Sequence, residues 1–412
     1  MGINDLVRIA WRNCWRERGR SGITIGAMAF AVAMCMGFNC IDDGMFADVY
    51  RMMVRERLGH VQVHNPRYPE QRALYESLAI GDALVAEWES KPEVAAVTVR
   101  AFAFALVGVG EESSGAQLIG VDPAREEALT GPTADVEQGQ WLPPAPAGGI
   151  VLGVGLAENL RAQVGDEVVA VTQAADGSLG NELYRVLGII RTGNPATNRS
   201  GAWLHLADLQ TLMVLPGQVH ELVVLGTDDG AVESLAAGVR AWMGEREALV
   251  RTWKEVDPTT SKMLEMQDAA TWILLLIVFS VAALGIMNTM LMAVFERTPE
   301  LGVLHALGLS PRSIVAMVML ETVLLACVAV VVGVVFGLAI DAWLIRVGID
   351  LGRYADGMNF GGMQWDPVLR GAFRWQGVVY TVASVVVVAL LASLWPALRA
   401  ARLRPVEAMR EG

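Results

Sequence analysis

The run AATWILLLIVFSVAALGIMNTMLMAVF, residues 269–295, contains no charged side chain. The hydrocarbon core of a bilayer is about 30 Å thick, and a helix rising 1.5 Å per residue crosses it in about 20 apolar residues. A helix buried in a soluble domain usually keeps a polar stripe; this run has none. Three other windows read the same way. Ser21–Ile41 is uncharged and ends at Asp42 and Asp43. The run from about Ser313 to Ile340 is broken only by Glu321, and Gly377–Leu398 includes Val385, Val386, Val387 and Val388 in succession.

Composition agrees with a chain made for two solvents. Of 412 residues, 53% are hydrophobic, and the mean hydropathy is +0.41. The formal net charge of -12 sits mostly between Asp42 and Asp268, so nothing suggests a nucleic-acid binder. The expected fold is therefore membrane α-helical: four transmembrane helices, with a large α+β extracytoplasmic domain inserted between helices one and two. The boundaries expected are a cytoplasmic amphipathic helix at 1–20, spans at 21–41, 269–295, 313–340 and 377–398, and the inserted domain at 42–268. A cytoplasmic link at 296–312, an outer loop at 341–376 and a cytoplasmic tail at 399–412 complete the chain.

Basic residues set the orientation, because Lys and Arg accumulate in short cytoplasmic flanks. Arg8, Arg12, Arg16, Arg18 and Arg20 precede the first span, and Arg399, Arg402, Arg404 and Arg410 follow the fourth. Arg297 and Arg312 stand in the link. Four crossings put both termini and the link on one side, and the arginines make that side the cytoplasm. The first window reads as a retained anchor, since signal-peptide apolar regions run to about 7–15 residues. Cys40 follows Gly-Phe-Asn, a poor lipobox. Before it, Leu6 to Arg16 alternates apolar and basic faces at helical spacing, as in a helix lying in the interface with Trp11 and Trp15 at headgroup depth.

The inserted segment is long enough for a core of its own. Its ends, Asp48–Leu58 and Pro258–Asp268, read as helical stalks. Strands are expected at 60–64, 94–107, 167–171, 184–190 and 221–225, and helices at 81–90, 156–162, 206–212 and 232–243. The Pro/Gly-rich stretch 139–149 suggests a boundary between two lobes. No Gly-x-Ser-x-Gly, His-Glu-x-x-His or Asp-rich calcium loop occurs, so a hydrolase is not supported. His60 and His64 share one face of a strand, which suits either a metal pair or two ordinary polar residues. Cys14, Cys35, Cys40 and Cys327 lie outside the inserted domain's middle and read as small apolar packing residues.

The link carries the functional signal. It reads ERTPELGVLHALGLSPR from Glu296 to Arg312. Pro299 suits a first helical turn, with Thr298 as N-cap and Glu300 at the positive end. Leu301, Leu304 and Leu307 fall on successive turns and Gly308 suits a C-terminal cap. A short helix showing leucines to the cytoplasm is a docking knob for another subunit. No Gly-x-x-x-x-Gly-Lys-[Ser/Thr] is present, so the chain carries no P-loop.

The run ERTPELGVLHALGLSPRSI, with Glu321 and the Gly-x-x-x-Gly at Gly333 and Gly337 after it, resembles the FtsX-like (MacB-type) permeases. The tail WPALRAARLRPVEAMREG, residues 395–412, is similar to theirs, and the order of spans matches over the whole chain. The resemblance implies a non-enzymatic permease subunit of an ABC transporter in the bacterial inner membrane, with a separate cytoplasmic ATPase binding ATP and magnesium. It also implies a second permease subunit, identical or homologous. By that likeness Glu296, Arg297, Glu300, Leu301, Leu304, His305 and Leu307 would touch the ATPase, and Leu304→Asp should abolish ATPase co-purification. The stretch Gly59-His60-Val61-Gln62-Val63-His64, with Tyr68-Pro69 after it, is similar to lipoprotein-releasing permeases of the LolC/LolE type. That likeness implies lipoprotein cargo taken from the membrane and passed to a periplasmic carrier.

Met34, Met36, Met45, Met263 and Met266 could line an acyl-chain cavity, or simply pack. Glu321, costly at membrane depth, is expected to face the bundle and pair with a cytoplasmic-side arginine. Gly333 and Gly337 allow close helix contact, within this chain or with a second permease. Two other functions stay open: a MacB-like mechanotransmission permease, and a membrane-anchored sensor without an ATPase. The first would export peptides, toxins or drugs, or control a cell-wall hydrolase; the second has no use for a docking knob.

Overall fold

The computed structural model describes residues 3–68, 76–244, 246–306, 309–350, 359–360, 363–364 and 368–402. It divides into two compact units, one of 1–47, 264–353 and 368–412, the other of 48–263 and 354–367.

The first unit is helical. An N-terminal helix, Ile3–Cys14, precedes the first long apolar helix, Arg18–Tyr50. The second runs Pro258–Glu296, the third Pro311–Arg346 and the fourth Trp375–Ala401. These four are long and apolar enough to cross a membrane. Each extends beyond the window expected from hydropathy, because backbone hydrogen bonding does not stop where apolar side chains do. Asp341, expected in the outer loop, thus lies buried in the third helix. Ser310 caps that helix by accepting from the Ser313 amide, and Pro311 takes its first position, where an amide proton is not needed.

The third helix packs on the first through its glycines. A Cβ at Gly333 would lie 2.6 Å from the Val32 Cβ and 2.8 Å from the Ala29 carbonyl oxygen. One at Gly337 would lie 2.6 Å from the Met36 sulfur. The Gly-x-x-x-Gly therefore serves a contact inside this chain. Gly333→Ala should cost about 1–3 kcal/mol through overpacking, read as a lower unfolding temperature in detergent, with Gly333→Leu more severe. An unchanged melt for both would mean the two helices are not in contact. Met36 is buried in this seam with Val32 and Val385, so it belongs to the packing.

The second unit is built on a ten-stranded mixed sheet. Its strands are β1 (Val61–His64), β2 (Leu78–Ala79, paired outside the main sheet), β3 (Val94–Val109), β4 (Glu112–Val121), β5 (Val136–Gly139) and β6 (Gly149–Gly153). The remainder are β7 (Glu167–Gln173), β8 (Leu179–Ile190), β9 (Gly201–His205), β10 (Gln218–Val219, paired with β2), β11 (Glu221–Gly226) and β12 (Leu249–Thr252). The order is β12-β1-β11-β3-β4-β9-β6-β8-β5, with β7 bridging β3 and β8; β4–β9 and β6–β8 pair in parallel.

Most of the helices cover one face, and helix Pro123–Thr130 packs on the other through Leu129. Ala101, Ala103, Ala105 and Val107 of β3 alternate into a core with Leu156, Leu160, Leu209 and Met213. A second core on the sheet joins Val61, Val97 and Leu222 to Trp88 and Val239. The stretch 139–149 is no lobe boundary: β5 on one side of it and β6 on the other both pair with β8 in the same sheet. Residues 51–58, expected as an α-helical stalk, form a π-helix closed by the Gly59 amide bonding the Val54 carbonyl, with Gly59 at φ +64°.

The two histidines bond different partners. His60 is fully buried: its Nδ1 accepts from the Gly226 amide at 2.8 Å, which leaves the proton on Nε2, 3.2 Å from Asp229 Oδ1. His64 bonds Gln62 at 3.0 Å. Burial lowers the His60 pKa, against the weaker upward pull of Asp229. The unfolded chain then takes up a proton near the ordinary histidine value, about 6.5, before the folded chain does. Stability is lost as pH falls through that value toward the lower folded one. Melting the full chain at pH 7.5 and 5.5 checks this: His60→Gln should flatten the difference, and an equal slope would exclude His60 as its source.

Candidate functional site

At Glu296 the second apolar helix ends and the chain turns through Arg297 into a short helix, Thr298–Ala306. Thr298 is not its N-cap; its hydroxyl donates back to the Val294 carbonyl at 3.2 Å. The Leu301 amide instead bonds the Arg297 carbonyl at 2.9 Å, so Arg297 is the residue at the bend.

Arg297 holds three elements together. Its Nη1 lies 3.2 and 3.1 Å from the two oxygens of Glu321 on the third apolar helix. Its Nη2 donates to the Asn13 carbonyl at 3.1 Å, in the last turn of the N-terminal helix. A helix C-terminus leaves carbonyls unpaired and favours a cation there, so one guanidinium answers two demands. The pair is largely buried, at 15% and 9% side-chain exposure. An arginine suits such a place because its planar donors serve several acceptors at once.

Around this pair lie weaker, solvent-facing bridges. Arg16 meets Glu300 at 2.7 Å, and Arg20 pairs with Glu296 and with Glu17. Hydrogen bonding from Arg16 holds the Glu300 carboxyl below its usual range. Exposed bridges of this kind orient more than they stabilise. Arg399 lies 4.6 Å from the Phe295 ring centre, a cation–π contact that ties the end of the fourth helix to the same corner.

The N-terminal helix packs by its small residues. Ala10 and Cys14 are buried, while Ile9, Trp11 and Trp15 are exposed. Burial pushes the Cys14 thiol up to about 12, as expected of an inert packing cysteine.

This geometry redistributes the residues expected at the docking face. Leu301 is buried in the helical core, and Leu304 packs against that core. Arg297 is engaged inward, and Leu307 lies outside the described residues. His305 is half-buried. Facing out are Glu296, Glu300, Ala306 and Val303, the last 47% exposed. Leucine spacing draws attention to the opposite, buried face. Glu296 and Glu300 repeat the four-residue spacing of Arg16 and Arg20 with opposite sign, and the two sets pair. Leu304→Asp would thus report on packing, and Val303 is the better probe.

The five methionines do not share one environment. Met36 is buried, Met45 and Met263 are half-buried, and Met34 and Met266 are exposed. Glu321 faces inward to an arginine, as its position in an apolar helix demands.

Residues 21–242 match the MacB-like periplasmic core domain, and residues 272–405 match the FtsX-like permease C-terminal model. The chain is an FtsX-like, MacB-type permease. It is 25% identical over 314 residues to the lipoprotein-releasing system transmembrane protein LolC of Neisseria meningitidis, covering 74% of this chain and 75% of that one. It is 21% identical to LolE of Haemophilus influenzae over 99% of both chains. It is also 23% identical to the pyoverdine export ATP-binding/permease protein PvdT of Pseudomonas syringae, over 98% of this chain and 59% of that one. The permease is a multi-pass membrane protein with an extracytoplasmic domain, of the bacterial inner membrane.

Proposed function

We propose that this permease couples ATP hydrolysis by a separate ATPase to the extraction of lipoproteins from the inner membrane for a periplasmic carrier. In this reading all four apolar helices cross the bilayer. Both termini and the 296–312 link face the cytoplasm, and a second permease, identical or homologous, completes the transporter. The observation that carries the reading is the link helix itself. It is fixed to the third apolar helix and to the N-terminal helix by Arg297, while Val303 is exposed and Glu296 and Glu300, bridged to Arg20 and Arg16, lie on the same solvent-facing side. A push on a helix so fastened moves three elements together rather than bending a loop.

Lipoprotein as cargo is supported by the LolC and LolE relatives, which match most or all of the chain. A place for the carrier is supported by an apolar sheet face: Phe104 and Leu106 of β3, Val169 of β7 and Leu183 of β8 are all exposed. The register puts them on one side, since Leu106 pairs with Val171 and Val169 with Leu183. Contiguous apolar patches of this kind mark interaction surfaces. The PvdT likeness favours a second reading, export of a peptide or other small product.

Purification from native membranes in mild detergent, with mass spectrometry of bound material, separates the readings. Triacylated lipoprotein and a small ATPase should co-purify. Soluble peptide or a siderophore without lipoprotein would favour export, and recovery without any ATPase would defeat both.

A further inference from the structure

The extracytoplasmic unit holds a cleft of about 660 Å³ that the coupling reading does not use and that adjoins the apolar patch proposed for the carrier. Its floor is the sheet face opposite the core of Leu156, Leu160, Leu209 and Met213. Arg100 and Phe102 of β3 lie there, with Ile119 of β4, Trp203 of β9 and Glu221 of β11, all in register on one side. Helix Pro123–Thr130 contributes Glu126 to the wall, and Asp135 stands at the rim.

The cleft has two characters. One half is apolar, formed by Phe102, Ile119 and Trp203. The other is charged, with a small excess of acid. Arg100 donates through Nε and Nη2 to Glu126 and through Nη1 to Glu221 and the Arg57 carbonyl, at 2.6–3.1 Å. One guanidinium thus answers two carboxylates. Counting every lining residue, Glu126, Asp135, Glu221 and Asp257 face Arg57, Arg100 and Arg251, four acids against three bases. Arg251 is already bonded to the Glu255 carbonyl. Partial burial raises the Asp135 pKa.

We propose that this cleft binds an extended peptide segment, seating a large apolar side chain on Phe102, Ile119 and Trp203 and a neighbouring basic group beside Glu221 and Asp135. The volume falls in the range of roughly 300–1,000 Å³ found for small-ligand sites. The floor continues outward along β3 through Phe104 and Leu106, both exposed and on the same face as Phe102. Same-face residues of a strand recur about every 6.7 Å, which is also the repeat of alternate side chains in an extended peptide. An acidic segment would set like charges against Glu221 and Asp135, a repulsion that gives the site its selectivity.

The proposal is independent of where the ATPase docks and of the cargo's lipid. It is tested on the full chain in lipid nanodiscs, by fluorescence anisotropy with a labelled hexapeptide containing adjacent Lys and Trp. The control replaces Lys with Glu. Gln117→Arg places a cation on the partly exposed floor beside Ile119, and Asp135→Asn removes a rim charge; both are surface changes whose folding is checked by melting. The basic peptide should bind saturably, about tenfold or more tighter than the acidic one. Gln117→Arg should weaken it by about tenfold and Asp135→Asn by a few-fold. No saturation up to about 1 mM, equal binding of the acidic peptide, or unchanged affinity in both folded variants would overturn it.

Discussion

Val303→Asp is expected to separate the permease from its ATPase while leaving the permease folded. The side chain is about half exposed, between Glu300 and Ala306 on the outward face of the link helix. Seating a carboxylate against a desolvated partner surface without a counter-charge costs several kcal/mol. A loss of about 100-fold in affinity, about 2.8 kcal/mol, is therefore a moderate expectation. Pull-down of the ATPase should fail, and ATP turnover in the reconstituted complex should fall to that of the free ATPase. Val303→Ala, which only shortens the contact, should retain most of both. If Val303→Asp keeps the complex while Leu304→Asp melts the permease, the partner sits elsewhere and the inward assignment of Leu304 stands alone.

Breaking the Arg297–Glu321 pair from one side should be the most damaging change to the helical unit. Glu321→Leu strands a buried guanidinium, and Arg297→Met strands a carboxylate in an apolar helix. Loss of one partner of a buried pair costs about 3–5 kcal/mol, whereas replacing both with apolar groups is often neutral or stabilising. The double variant Arg297→Met/Glu321→Leu should recover the unfolding temperature of the parent or exceed it. It should not recover coupling, because the bond from Arg297 to the Asn13 carbonyl is gone as well. A double variant that hydrolyses ATP and releases cargo normally would reduce the pair to a packing feature. One as unstable as either single variant would show that the two groups do not act on each other.

The helical half was legible in the sequence for a plain reason. A bilayer imposes length and apolarity together, so four windows could be found without any long-range knowledge. Gly333 and Gly337 were readable as a close-approach signal, though only the structure shows Val32 and Met36 on the other side. In the extracytoplasmic unit the strands with strong alternation or β-branched runs stood out, among them β3 and β11. β4 did not, because it begins Glu-Ser-Ser-Gly and owes its place to ten-residue pairing with β3. β6 and β9 are five residues each and begin with glycine; their strand character comes from neighbours rather than propensity.

The link helix was legible in the sequence, but which of its faces is buried was not. Pro299 and the leucine spacing located the link helix, but periodicity alone cannot say which side of a short helix is buried. The helical core decided that, taking Leu301 and Leu304 inward. The partners of Arg297 and Glu300 lie in the N-terminal segment, some 284 residues from Arg297 in the first case. Matching charge spacing was the sole hint of that closure.

The claim beneath all of this is that the link between the second and third apolar helices faces the cell interior. Cysteine labelling in intact cells tests it most directly. Cys14, Cys35 and Cys40 are buried and only Cys327 is exposed, so Cys327→Ser gives a quiet background. Val303→Cys on that background should resist a membrane-impermeant maleimide until the inner membrane is opened. Ser178→Cys, in the exposed β7–β8 turn, should react once the outer membrane alone is permeabilised. Labelling of position 303 under that milder condition, with position 178 protected, would invert the topology and leave an interior ATPase nothing to hold.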